Sequence, residues 1–129
     1  MSNVEEVDRC IKWLTENSKS QNLVEICRCI DKLSVLTVSV GHEVSVAYGL
    51  MNTLEDEYKF NYAAHVSAST LSVAKAELEA ESKFRENKTS YTKAKNNYKY
   101  LSTYLDRIDR VIESYRQLVS VSKLDLKHS

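Results

Sequence analysis

Between Lys83 and Tyr104 the sequence sets cations and aromatic rings side by side. Tyr91, Tyr98, Tyr100 and Tyr104 intersperse with Lys93, Lys95 and Lys99, Lys83, Arg85 and Lys88 come just before, and Glu86 is the only acid in the stretch. Such a composition suits a single nucleic-acid strand, whose bases stack on rings while cations neutralise its phosphates. It equally suits a helix whose tyrosines fill a core. A heptad separates the two uses. Phe84, Tyr91, Tyr98, Leu105, Ile112, Val119 and Leu126 fall on one seam position, and Ala94, Leu101, Ile108 and Tyr115 on the other. Asn87 and Ser122 are the polar exceptions. Tyr91 and Tyr98 are thereby assigned to packing, while Tyr100 and Tyr104 fall outside the seam or at its margin. Tyr100 then stands in one column with Lys93 and Arg107, near Arg85, Lys99 and Arg110, as a basic stripe carrying one exposed ring. The competing reading is a solvated face whose lysines oppose acids on another helix.

Catalytic patterns are sparse. His42, His65 and His128 lie far apart, and no phosphate-binding glycine loop, dinucleotide fingerprint or nucleophile elbow occurs. Asp106 and Asp109 alternate with Arg107 and Arg110, so Asp106–Arg110 reads as an i, i+4 surface pair. Glu55, Asp56 and Glu57 read as a solvated acidic face. Cys10, Cys27 and Cys29 are odd in number, and the Cys-x-Cys spacing points its two thiols about 200° apart on a helix. They read as small buried thiols in a reducing compartment, not as a zinc site. The expectation is a non-enzymatic chain with no cofactor and no metal.

The elements that position these residues follow from composition. The 129 residues contain no proline and two glycines, with 43% hydrophobic and 28% charged residues, which predicts a single all-α domain. No apolar run reaches the 18–20 or so residues that span a bilayer, and the acidic N-terminus does not resemble a secretion signal, so a cytoplasmic location without membrane attachment is expected. A first helix is predicted over about 3–16, with Asn3 and Glu6 as a capping box. The polar residues 17–22 read as a linker. A second helix is predicted over about 23–64, with Leu23, Ile30, Thr37, Val44, Met51 and Tyr58 on one seam position and Ile26, Leu33, Val40, Ala47 and Leu54 on the other. The alternation around Gly41 allows either a kink or a pair of strands, and the continuing period favours helix. Residues 65–72, rich in Ser and Thr, supply a turn and a new N-cap, and a last helix is predicted over about 73–126.

A fifty-residue helix is roughly 75 Å long, whereas a compact globule of this size has a radius of gyration near 14 Å. The sequence therefore predicts a short N-terminal helix plus a long antiparallel helical hairpin whose seams are completed by homo-oligomerisation. Formal net charge is zero but unevenly spread. Residues 1–70 carry six Lys/Arg against ten Asp/Glu, and residues 71–129 carry twelve against eight. That asymmetry fits self-association or an anionic partner.

The segment AKAELEAESKFRENKTSYTKAKNNYKYLSTYLDRIDRVIESYRQLVSVSKLDL, residues 74–126, resembles the C-terminal half of the UvsY-like recombination mediators, small helical bacteriophage proteins. The resemblance rests on Ala74, Ala76 and Glu77, on Tyr98 with Leu101, and on the LDRIDRVIESYRQLVSVSKLD run with Ser114 and Arg116. Residues 31–63 resemble the family's preceding long helix. The resemblance implies an oligomer that binds single-stranded DNA and assists recombinase loading against single-strand-binding protein. It also implies a DNA contact at the end of the second helix, where Lys59, following three acids, is the matching cation and Tyr62 the matching ring. The expected DNA-contacting set is then Lys59, Tyr62, Arg85, Lys88, Lys93, Lys95, Lys99, Tyr100 and Arg107. The alternative expectation is a coiled-coil interaction protein that inhibits or scaffolds a protein partner, such as a phage counter-defence inhibitor or a virion adaptor.

Overall fold

The structure, a computed structural model, describes residues 2–17 and 22–128. Among these residues it is all-α, with helices α1 (Asn3–Asn17), α2 (Leu23–Ala68), α3 (Val73–Lys83) and α4 (Arg85–His128) and no strand. Residues 18–21 of the expected linker lie outside the described residues.

Short polar side chains start the helices. The α1 cap sits one residue earlier than expected: the Glu5 N–H donates to Ser2 Oγ at 3.2 Å and the Glu6 N–H to the Ser2 carbonyl. Ser2 with Glu5 thus stands where Asn3 with Glu6 was expected. The two patterns overlap in sequence, and the hydroxyl is the group that meets the first free N–H groups. Asn22 Oδ1 accepts from the Glu25 N–H at 3.3 Å at the start of α2, and Ser72 Oγ from the Lys75 N–H at 3.4 Å at the start of α3.

Both glycines lie inside α2, and neither has a positive φ. The strand alternative around Gly41 is therefore not adopted. Thr37, the polar seam member, returns its hydroxyl to the Leu33 carbonyl at 2.9 Å, and Ser34 does the same to Ile30 at 3.0 Å, so the helix absorbs its β-branched and hydroxyl residues. α2 continues four residues past its expected end at 64. Its last turn tightens where the Ser69 N–H meets the Val66 carbonyl, and Ser69 Oγ accepts from Leu71. The single helix expected over 73–126 is interrupted at Phe84, whose φ of −105° and ψ of 21° leave the helical well. The Phe84 N–H still bonds to Ala80 and its carbonyl still accepts from Lys88. Only dihedral angles change, which a heptad pattern cannot register.

The chain forms two compact units, Met1–Glu43 with Leu101–Ser129, and Val44–Tyr100. In the first, α1 contributes Val7, Cys10, Ile11 and Leu14 to the core, α2 contributes Ile26, Ile30, Leu33, Leu36 and Val40, and α4 contributes Leu101, Tyr104, Ile108, Ile112 and Val119. Leu105 and Tyr115 are half-buried. Fully burying a side chain of this size contributes about 1.5–3 kcal/mol. Polar contacts tie the three helices pairwise. Tyr104 Oη meets the Val4 carbonyl at 3.2 Å and the Asp8 carboxylate, Cys29 donates to the Cys10 carbonyl at 3.5 Å, and Arg116 donates to Ser34 Oγ at 3.2 Å. Tyr104, expected outside the seam or at its margin, is thus a core residue. The heptad of one helix could not register α1 packing against it.

In the second unit α2 runs antiparallel to α3 and α4. Tyr48 meets Tyr98 with ring centroids 5.2 Å apart, Glu55 faces Tyr91 and Lys95, and His65 meets Phe84 edge-on at 5.9 Å. Ala47, Ala76, Ala80 and Ala94 are buried there, while Phe84, Tyr91 and Tyr98 are half-buried seam residues. No described helix is long and apolar enough to cross a membrane.

Candidate nucleic-acid interface

The inward side of α4 within the second unit is fixed by Ala94, buried, and by Tyr91 and Tyr98, half-buried. At 100° per residue the opposite side then carries Arg85, Thr89, Thr92, Lys93, Asn96, Lys99 and Tyr100, with Lys88 on its flank, and all eight are exposed. Glu86, also exposed, lies on the same side seven residues before Lys93 and is the one acid between Arg85 and Tyr100. Arg85, Lys88, Lys93 and Lys99 make no ion pair with any described acid. Their charges are therefore available to an external anion, with hydroxyl and amide groups between them. The reading in which these lysines oppose acids on the other helix holds only for Lys95. That side chain is half-buried on the flank, with its ammonium 6.0 Å from the Tyr91 ring centroid and its charge helping to hold Glu55 ionised.

Lys59 and Tyr62 have different surroundings. The Lys59 ammonium lies 2.5 Å from Glu55 Oε1, one turn earlier on the same helix. That hydrogen bond, reinforced by the charge of Glu55, raises the Lys59 pKa above its ordinary value. Its charge is already matched. Tyr62 is half-buried with its ring 5.9 Å from Tyr58, and its phenol is pushed up first by burial and then by Glu77 and Glu81. Carboxylates beside a ring repel the phosphates a stacked base would bring. Lys59 and Tyr62 are therefore not joined electrostatically to the α4 face. Arg107, exposed on α4, belongs to the other compact unit.

The other sequence candidates are dispersed. Asp106 and Arg110, expected as an ion pair, do not come within ion-pair distance. His65 Nε2 lies 3.2 Å from Glu79 Oε1 without the alignment of a hydrogen bond. The three cysteines are free thiols. Cys29 is pushed up to about 11, first by burial and then by its contact with Cys10, which keeps it protonated and unreactive at neutral pH. Among the described residues no group of three or more His, Cys, Asp or Glu side chains could hold a metal ion.

What the α4 face offers is binding: ammonium and guanidinium groups that neutralise phosphates, neutral donors that hydrogen-bond to them, and one exposed ring. The chain matches no protein-family model, no curated protein and no solved structure. A feature that sequence reasoning did not single out is the outer side of α2, where Val24, Val35, Val38, Val46, Leu50 and Phe60 are exposed on a helix whose inner side is also apolar. Its signal was present as the near absence of charge from Leu33 to Thr53, where Glu43 is the only acid and no Lys or Arg occurs.

Proposed function

We propose that this protein is a non-catalytic accessory factor that holds single-stranded DNA along the outer face of α4. In this reading it works as a homo-oligomer and assists the loading of a recombinase in the manner of the UvsY-like bacteriophage mediators it resembles. The observation that carries the reading is the set of four exposed cations, Arg85, Lys88, Lys93 and Lys99, none of which pairs with a described acid. Phosphate contacts position a strand without reading its sequence, and Tyr100 supplies a stacking surface that tolerates any base. Lys95, Lys59 and Tyr62 play lesser parts, since two are engaged with Glu55 and the third lies near acids.

Fluorescence anisotropy with a labelled oligothymidylate at 50 mM salt tests this. The wild-type chain binds, and a variant with all four cations replaced by Ala loses binding while keeping its helical circular dichroism. Absence of wild-type binding at 50 mM salt overturns the proposal. The second reading, a helical interaction protein that inhibits or scaffolds a protein partner, would then stand. It is favoured by the apolar outer side of α2, a surface that water alone covers poorly.

A further inference from the structure

α2 points its two cysteines at different neighbours. Cys27 and Cys29 stand two residues apart, about 200° around the helix. Cys27 lines an open hollow against α4 with Arg116, Val119 and Lys123. Cys29 turns to α1, where its thiol donates to the Cys10 carbonyl at 3.5 Å. The Cys10 thiol is near enough to act on it both as a charge and as a hydrogen-bond partner. All three cysteines belong to one compact unit. Cys10 is 5% exposed, in the core shared by α1, α2 and α4, and Cys29 is half-buried. Side by side across two helices, the two thiols divide the roles of a dithiol. The more open one can meet a reagent, and the buried one can meet only its neighbour.

We infer that Cys10 and Cys29 are a redox pair, a site at which oxidation joins α1 to α2 by a disulfide while Cys27 stays outside it. The oxidant is a small soluble disulfide, such as oxidised glutathione. The Cys29 thiolate attacks one sulfur of the reagent, a mixed disulfide forms and the first glutathione leaves as its thiolate. The Cys10 sulfur, having given up its proton, attacks the Cys29 sulfur and expels the second glutathione. Two electrons pass from the protein sulfurs to the reagent, and the two protons lost from the protein thiols end on the two glutathione thiols.

A bond between residues nineteen positions apart closes a loop of the unfolded chain, and that restraint stabilises the folded one. Burial holds Cys29 protonated up to about 11, which makes the pairing slow at neutral pH without making it unfavourable. The rate follows the thiolate fraction, whereas the equilibrium follows the oxidant and the proximity of the pair.

Incubating the folded full chain with excess oxidised glutathione at pH 9, then blocking free thiols and digesting without reduction, tests the pairing by mass spectrometry. Trypsin cuts after Arg28 and so puts Cys27 and Cys29 on different peptides. The expected product joins the Cys10 peptide to the Cys29 peptide, and Cys27→Ser leaves it in place. In that variant the intact chain becomes lighter by two hydrogen atoms, its thermal midpoint rises by roughly 10 °C, and the rate of oxidation climbs about tenfold per pH unit from 7 to 10. An unreacted pair, a product joining Cys27 to either partner, or glutathione held on Cys29 with no cross-link overturns the pairing. A midpoint that does not rise means that the bond forms only in an opened chain, which overturns it as a site of the folded structure. A rate insensitive to pH removes Cys29 as the attacking sulfur and overturns the order of steps. Neither cysteine belongs to the α4 set, and the anisotropy measurement is made on the reduced chain, so the two proposals fail separately.

Discussion

Tyr104 joins residues a hundred positions apart in the chain. Its hydroxyl carries one proton and faces two acceptors, the Val4 carbonyl at 3.2 Å and the Asp8 carboxylate, so α4 and the first turns of α1 meet through a partly charged hydrogen bond. Replacing Tyr104 with Phe keeps the buried ring and removes the donor. The expected cost is about 1–2 kcal/mol, read as a lower urea midpoint with an unchanged m-value. Glu55 and Lys59 give a test by titration. The hydrogen bond from Lys59 is the largest cause holding Glu55 below its ordinary 4.5, and the same bond holds Lys59 above its ordinary 10.5. For the carboxylate, the stabilisation is complete above 4.5 and is lost as pH falls through the lowered folded value. For the ammonium, it is complete below 10.5 and is lost as pH rises through the raised one. Carboxyl-carbon NMR should therefore place the Glu55 midpoint below 4.5, and Lys59→Ala should move it upward; a midpoint insensitive to that substitution would remove Lys59 as the cause.

At the scale of the element, α2 places two glycines in the middle of a long helix. A methyl group added at Gly41 would have no heavy atom within 4 Å, and the backbone there is not left-handed. Gly41→Ala then gives up backbone freedom only in the unfolded chain, and about 0.5–1 kcal/mol of added stability is expected. Calorimetry should show a rise in midpoint of about 2–4 °C; a fall would mean that α2 needs glycine there for an approach this structure does not contain. Helix type and register were legible here because hydrophobic spacing is a local property. Ile26, Ile30, Leu33, Val40 and Ala47 are all buried seam members. The helix ends were less legible, because they depend on which hydroxyl meets which N–H. Ser2 and not Asn3 caps α1, and Phe84 changes its dihedral angles without breaking a backbone hydrogen bond.

Over the whole molecule a net charge of zero conceals a segregation that matters for binding. Strand affinity driven by four phosphate contacts should fall with log salt at a slope of about −3, and each cation removed from the α4 face should flatten it by about 0.7. Lys59→Ala should leave the slope unchanged, since that ammonium is matched by Glu55; an equal loss of slope would return Lys59 to the interface. By itself the sequence determined the all-α class, the seams and the outward direction of Arg85, Lys93 and Lys99, because a helix turns the spacing of residues directly into faces. Only the tertiary structure decided which charges were left over. Lys95 falls beside Glu55, Tyr62 falls near Glu77 and Glu81, and Tyr104 turns from a marginal ring into a core residue against α1. Each of these depends on a neighbour brought close by folding, and spacing along one helix carries no record of what packs against it.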